Sequence, residues 1–376
     1  MRKALGFSGV VAAAAAVGTG VGRLVEPVTA SMGAQATGTR LERMRASAQW
    51  RGQTFHNRRP TSTVPTDQGG ALQRMRENWG RRKPVGPIPL VTSVPETRTS
   101  APVVTWFGHA SALLTLDGAR ILLDPVWSDR CSPSQHVGPK RLHPTPVSLA
   151  DLGAIDLVVI SHDHYDHLDM DTVVDLAGHT DATFVVPLGI GAHLESWGVP
   201  AERIVELDRE QSHTAAGITL TCVESQHFSG RGFTRDETLW ASWVIAGPSG
   251  RVFFSGDTGY FDGYADLGER HGPFDVALMA IGAYDPAWRS IHLDPEEAVQ
   301  ATVELGRPLL LPIHWGTFVL APHPWEEPVE RLLRAAEVAD VRVVVPRPGE
   351  SVEAAAPVAV DPWWRGVAAP APALVG

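Results

Sequence analysis

The run Ser161-His162-Asp163-His164-Tyr165-Asp166-His167 constrains the fold of this chain more than any other stretch. Four potential metal ligands occupy six consecutive positions, directly after the apolar run Leu157 to Ile160. Such a run predicts a strand, so the strand ends in a ligand-bearing loop. Imidazole and carboxylate together suit zinc or a similar borderline first-row ion. The H-x-H-x-D-H spacing lets His162 and His164 hold one ion while Asp166 and His167 reach a second. A His-rich surface loop is the plain alternative, but it accounts neither for the preceding strand nor for the regular alternation of ligand types.

Two ions need more ligands than one loop supplies, so other strands must also end in His or Asp. Three do. Leu220 to Val223 leads into His227, Arg251 to Phe254 leads into Gly256-Asp257-Thr258-Gly259, and Leu309 to Leu311 leads to His314-Trp315-Gly316. Each is an apolar run of strand length with one ligand-type residue just past its end. Taken singly, His227 or His314 reads as a structural histidine and Asp257 as a turn former. Taken together, four strand ends with one pattern point to a shared metal site.

The sequence around these ligands resembles the metallo-β-lactamase superfamily, and within it the group of N-acylphosphatidylethanolamine-hydrolysing phospholipases D. The motifs that carry the resemblance are Thr105-Trp106-Phe107-Gly108-His109-Ala110, Leu123-Asp124-Pro125, Ser132-Pro133-Ser134-Gln135, Gly138-Pro139-Lys140-Arg141, Gly256-Asp257-Thr258-Gly259-Tyr260, Ile281-Gly282-Ala283-Tyr284 and His314-Trp315-Gly316-Thr317-Phe318. They run from about Phe55 to Ser351. The resemblance implies an αββα sandwich of two mixed β-sheets with outer helices. It implies two zinc ions per chain, one on His162, His164 and His227, the other on Asp166, His167 and His314, with Asp257 bridging. It further implies hydrolysis of a phospholipid to phosphatidic acid and an N-acylethanolamine by a metal-bridging hydroxide, with Asp166, Asp257 and His292 in catalytic positions. Chemistry agrees, since a bridging carboxylate holds a metal pair about 3.5–4 Å apart for such hydrolysis. The chain departs from the family at Ile291, where those relatives carry Gln.

Several residues are weaker candidates for binding substrate: His109, Gln135, Lys140, Arg141, Tyr165 and Trp288. His109 and His292 read as orienting or structural histidines rather than ligands. Trp127, Phe228, Trp240, Trp243, Trp288 and Trp315 could line an acyl groove, although aromatic residues beside strands are more often core.

The ligands span His162 to His314, so they cannot be divided between domains without breaking the site. Residues 101–351 are therefore expected to form one catalytic domain, in which strands alternate with helical stretches at Asp171 to Ala177, Pro295 to Leu305 and Trp325 to Ala339. Residues 1–30 carry Arg2-Lys3 and an uncharged Ala/Val/Gly run from Ala4 to Gly22, which reads as a membrane anchor, a cleaved signal peptide or a plain tail. The first two place the protein in the cell envelope, with the cytoplasmic membrane surface as alternative. Residues 31–100 form a basic, partly extended arm, and 352–376 an Ala/Pro-rich tail in which Trp363-Trp364 can dock.

Charge is divided unevenly. Between Arg40 and Lys83 stand eleven Arg or Lys against Glu42, Asp67 and Glu77, a local net charge of +8 in a chain of net charge −10. The arm either lies on anionic headgroups or pairs with the acidic body. An acidic body argues against nucleic acid as a partner. A homodimer is compatible with the sequence. Cys131 and Cys222 lack thiolate-zinc spacing and leave pairing open. Three function classes stand: a lipid phosphodiesterase, a metal hydrolase of another ester, and a non-hydrolytic relative such as a di-iron redox module. The resemblance places Glu at the position of His164 in that redox branch, so His164 argues against it.

Overall fold

The computed structural model describes residues 28–62, 67–93 and 99–368. The hydrophobic run weighed as anchor or signal lies outside the described residues. Among the described residues no helix is long and apolar enough to cross a membrane.

After a short hairpin of β1 (Trp50–Arg51) and β2 (Thr54–Phe55), two mixed sheets pack face to face. The first contains β3 (Val103–Gly108), β4 (Ser111–Leu116), β5 (Ala119–Leu123), β6 (Leu157–Val159), β7 (Thr183–Pro187), β8 (Ile204–Leu207) and β15 (Ser351–Glu353), in the order β15-β3-β4-β5-β6-β7-β8. The second contains β9 (Ser212–Ala215), β10 (Ile218–Val223), β11 (Ser242–Gly247), β12 (Gly250–Phe254), β13 (Val276–Ala280) and β14 (Leu309–Ile313), in the order β14-β13-β12-β11-β10-β9. In each sheet, antiparallel hairpins pass into parallel neighbours joined through helices, as at β5-β6-β7 and β12-β13-β14. Parallel strands covered on both faces need apolar residues along their buried length, and positions 157–159, 184–186, 252–254 and 276–280 supply them.

Alternation assigns the faces. Ile121, Leu123, Leu157 and Val159 join the core between the sheets, with Leu220, Trp243, Ile245, Val252 and Phe254 from the opposing sheet. Leu122, Val158, Phe184 and Val186 point the other way, onto Val173 and Leu176 of the helix Met170–His179. Over the second sheet lie the helices Tyr264–His271, Pro295–Glu304 and Glu327–Ala339. The Pro295 helix starts at a capping box of Asp294 and Glu297. The architecture is the expected αββα sandwich, and its helices match the three expected stretches to within two residues at either end.

The basic segment is built into the body. Arg40 pairs with Glu206 at 2.7 Å and Glu195 at 2.8 Å, Arg58 with Glu224 at 3.2 Å, Arg74 with Asp285 at 2.5 Å, and Arg81 with Glu326 at 3.1 Å; Arg59 pairs with Asp262. Met44 and Phe55 are buried with Leu188, Leu239 and Trp240. Asn57 donates to the His227 carbonyl at 2.8 Å and accepts from its N–H at 3.1 Å, which ties the segment to a ligand-bearing loop.

The C-terminal segment docks as well. Strand β15 crosses the expected boundary at 351/352 and pairs with β3. Trp363 and Trp364 are buried in a cluster with Trp106, Trp315 and Trp325, where Trp315 stacks on Trp106 at 5.8 Å and on Trp363 at 5.5 Å. Trp363→Ala is expected to destabilise the fold by about 3–5 kcal/mol, the usual range for truncating a buried Trp. Urea unfolding measures it, and a loss below about 1 kcal/mol would mean that the segment packs loosely. Cys131 and Cys222 are both buried and both free.

Candidate metal centre

The site forms where β6, β10, β12 and β14 end. In the first cluster His162 Nε2 lies 2.8 Å from His164 Nδ1, which lies 3.3 Å from His227 Nε2. In the second, His314 Nε2 is 3.3 Å from Asp166 Oδ2 and 3.1 Å from Asp257 Oδ1, and His167 Nε2 is 3.5 and 3.4 Å from the same two oxygens. Asp257 joins the clusters, because its Oδ2 faces His227 Nε2 at 3.8 Å and His292 Nδ1 at 3.7 Å. Tetrahedral ligands about 2.0–2.1 Å from a zinc ion stand about 3.3 Å apart. The ligand atoms are therefore spaced as ions of that size require. The Nε2 of His167 and the Oδ1 of Asp257 are buried without a hydrogen-bond partner among the described residues. The donor set fits a pair of divalent cations.

Outer partners fix the rings. Asp124, fully buried, accepts from the Ser161 N–H at 2.6 Å, the Ser161 hydroxyl at 2.5 Å and His167 Nδ1 at 2.7 Å. The Ser161 hydroxyl in turn accepts from His162 Nδ1 at 2.9 Å. One carboxylate thus aims a histidine into each cluster and leaves both Nε2 atoms for the metals. His227 Nδ1 donates to the Ile291 carbonyl at 2.8 Å, a bond that does not depend on the side chain at 291. Gly256 lies at φ +53 against Ser161, where a Cβ would stand 2.4 Å from the Ser161 Cβ; glycine is required for the Asp257 loop to reach the His162 loop.

Three backbone positions at the site are strained. His109, Asp124 and His314 adopt the left-handed region, at φ 53, 36 and 65. Hydrogen bonds hold them: the His314 N–H donates to the His109 carbonyl at 2.9 Å, which also accepts from Trp106 Nε1 at 2.9 Å, and the His109 N–H donates to the Thr317 hydroxyl at 2.7 Å.

Electrostatics separates the two clusters. Burial keeps His162, His164 and His227 below the ordinary imidazole range, in the neutral form that binds metal. Burial also pulls on His314, but Asp257 and Asp166 outweigh it and raise it to about 9. His167 is raised for the same reason, with Asp257 ahead of Asp166. Two carboxylates thus create a negative well on the His167 and His314 side, which a divalent cation would neutralise.

The family model for the beta-lactamase superfamily domain matches residues 119–315, more than half of the chain. The chain belongs to the metallo-β-lactamase superfamily of metal-dependent hydrolases. An uncharacterised protein of Mycobacterium tuberculosis, Rv0906, is 50% identical over 372 residues, covering 97% of this chain and 100% of that protein. The N-acyl-phosphatidylethanolamine-hydrolyzing phospholipase D 1 of Caenorhabditis elegans is 37% identical over 244 residues, 62% of this chain and 68% of that one. Among solved structures, Igni18, a metallo hydrolase of Ignicoccus hospitalis, superposes with a TM-score of 0.53 at 25% identity over 67% of this chain and 97% of its own.

Around this superfamily centre the other candidate residues divide. His109 Nε2 is 2.8 Å from Asp166 Oδ2, and His292 borders Asp257. Burial pulls His109 down to about 3 and His292 to about 4, so both are neutral at pH 7. Four substrate candidates are engaged elsewhere. Gln135 exchanges hydrogen bonds with the Arg130 backbone, Lys140 pairs with Asp129 at 3.1 Å, the Tyr165 hydroxyl donates to the Arg231 carbonyl at 2.6 Å, and Trp288 Nε1 donates to the Ala283 carbonyl at 2.7 Å. Their polar groups brace loops. Arg141 is buried over the Phe318 ring, and burial lowers it to about 10. Trp240 and Trp243 are core side chains, which removes them from an acyl groove.

Sequence reasoning assigned no role to Asp124, Asp163, Arg231, His143 or Thr317. Asp163 accepts from the Gly230 N–H at 2.7 Å and the Thr238 hydroxyl at 2.9 Å, so the residue between two ligands fastens the loop after His227. Arg231, buried between the Tyr165 and Trp197 rings, donates to the carbonyls of Ser31, Asp163 and Leu168. A Leu-Asp-Pro strand end was the available signal for Asp124; a Gly-Arg-Gly loop gave none for Arg231.

His143 Nε2 lies 3.1 Å from the Thr317 hydroxyl and Nδ1 2.8 Å from the Pro144 carbonyl. Burial, then Arg141, lowers it to about 4, below the unfolded value of about 6.5. The unfolded chain therefore takes up the proton first. The stability this residue supplies is fully present above about pH 6.5 and is lost as pH falls through about 4, up to about 3 kcal/mol in all. His143→Gln is expected to flatten that acid slope in denaturant titrations of the metal-free chain at pH 7 and 4.5; equal slopes would remove His143 as the cause.

Proposed function

We propose that this hydrolase is a binuclear zinc phosphodiesterase that cleaves N-acylphosphatidylethanolamine-like phospholipids into phosphatidic acid and an N-acylethanolamine at a membrane surface. The observation that carries the reading is the pair of ligand clusters joined by Asp257, supported by similarity to a relative named for that activity. His162, His164 and His227 would hold one ion, and Asp166, His167 and His314 the other. When bound, the pair supplies Lewis acidity and an acidified water. His109 holds Asp166 in place through its Nε2. His292, neutral and beside Asp257, is placed to hydrogen-bond a substrate oxygen, and at pH 7 it carries no extra proton to give to a leaving group.

The test is to purify the chain from about Ser31 onward, measure its metal content, and follow N-acylethanolamine release from the phospholipid in mixed micelles. About two zinc ions per chain with lipid turnover is the expected result. Zinc with cleavage of a generic phosphodiester or a lactone, but not of the lipid, would keep the centre and discard the substrate. Absence of bound transition metal would defeat the reading.

A further inference from the structure

While His314 turns Nε2 toward Asp166 and Asp257, the residue also lines a cavity of about 20 Å³ together with Arg82, Trp315, Phe318, His323 and Trp325. Arg82 Nε, Trp315 Nε1, Trp325 Nε1 and His314 Nδ1 are all buried with no hydrogen-bond partner among the described residues. Indole and guanidinium nitrogens are donors only. His314 Nδ1 becomes a donor too once Nε2 faces a cation. The remaining polar ring is already used, because His323 Nε2 accepts from the Ala283 N–H and Nδ1 donates to the Pro324 carbonyl. Arg82 has no carboxylate partner among the described residues, and burial works against its charge.

Four unpartnered donors, one of them on a cationic side chain, thus belong to residues that line one space, and an acceptor that carries negative charge would satisfy them there. At about 20 Å³ the space suits a monatomic ion better than phosphate or sulfate. We propose that this cavity is a binding site for one monatomic anion of chloride size. The anion accepts from the two indoles and Arg82, and through His314 Nδ1 it supplies the outer partner that His162, His167 and His227 obtain from Ser161, Asp124 and Ile291. Such a partner raises the basicity of a metal-bound imidazole. This coupling rests on the reading of His314 as a ligand; the anion site itself does not.

Bromide quenches indole fluorescence on contact, so a bromide titration of the full chain reads the cavity without metal. Saturable quenching, relieved by chloride but not by sulfate at equal ionic strength, is expected above the linear contribution of exposed Trp79. Arg82→Gln is expected to raise the midpoint about tenfold, and Trp325→Phe, which keeps the stacked ring and loses the N–H, to raise it as well. Strictly linear quenching, or a saturable component unchanged in both variants, overturns the site. Zinc retention by chelator competition, in chloride against gluconate, tests the coupling: about tenfold tighter zinc in chloride supports it, and equal retention overturns it. A chain that binds no zinc would defeat the metal reading while the bromide result still decides the anion site.

Discussion

Asp257→Asn is expected to reduce bound metal from about two ions per chain to about one and to lower kcat by about 10³-fold or more. The asymmetry comes from where the two oxygens point. Oδ1 stands 3.1 Å from His314 and 3.4 Å from His167, whereas Oδ2 stands 3.8 Å from His227. The His162, His164 and His227 cluster is three buried imidazoles kept neutral by burial, and it needs no carboxylate to hold an ion. The second cluster depends on Asp166 and Asp257 for its charge. With the amide at 257, a single carboxylate must balance a divalent ion in a buried site, at a cost far above that of the lost contact. Metal analysis of the purified variant beside steady-state kinetics measures both effects. Two retained ions with near-normal turnover would show that Asp257 does not bridge.

Asp124→Ala is expected to be the most damaging change outside the ligands, and its signature differs. Asp124 is fully buried and lies beneath His162 through Ser161 and beneath His167 directly. Removing it strips the acceptor from three donors at once, with an expected loss of about 3–5 kcal/mol of stability. Both metal positions should weaken together, by about 10–100-fold each, because a ring from each cluster loses its anchor. Asp124→Asn retains one acceptor and should fall between. Denaturant titration and chelator competition on the same samples check the pair of effects; weakening confined to one ion would mean that the relay through Ser161 does not orient His162.

The seven candidate ligands could be read from the sequence because each stands just past an apolar run, and a strand end is a place where a side chain is presented to solvent or to a site. Residue type and local spacing carry that much. They do not carry partnership. Tyr165 sits among ligands in the sequence, yet its hydroxyl is bonded to the Arg231 backbone, a contact between segments 66 residues apart. Arg231 looks like a surface cation between two glycines, and only the folded chain places it between two aromatic rings. The basic arm showed its charge but not its counterions, since Glu195, Glu206, Asp262, Asp285 and Glu326 come from five separate segments of the body. The αββα layering was legible for the same reason as the ligands: parallel strands buried on two faces need long apolar runs, and β6, β12, β13 and β14 have them.

The docking of Trp363 against Trp315, and of β15 against β3, sets an order in time. His162, His164 and His227 can meet as soon as the chain through β10 and its following loop has been made. His314 is neighboured by an indole that stacks on Trp363, and the first strand of the large sheet keeps an open edge until Val352 arrives. The half of the centre that holds both carboxylates is thus completed only after residue 363 has been made, when the tryptophan layer closes.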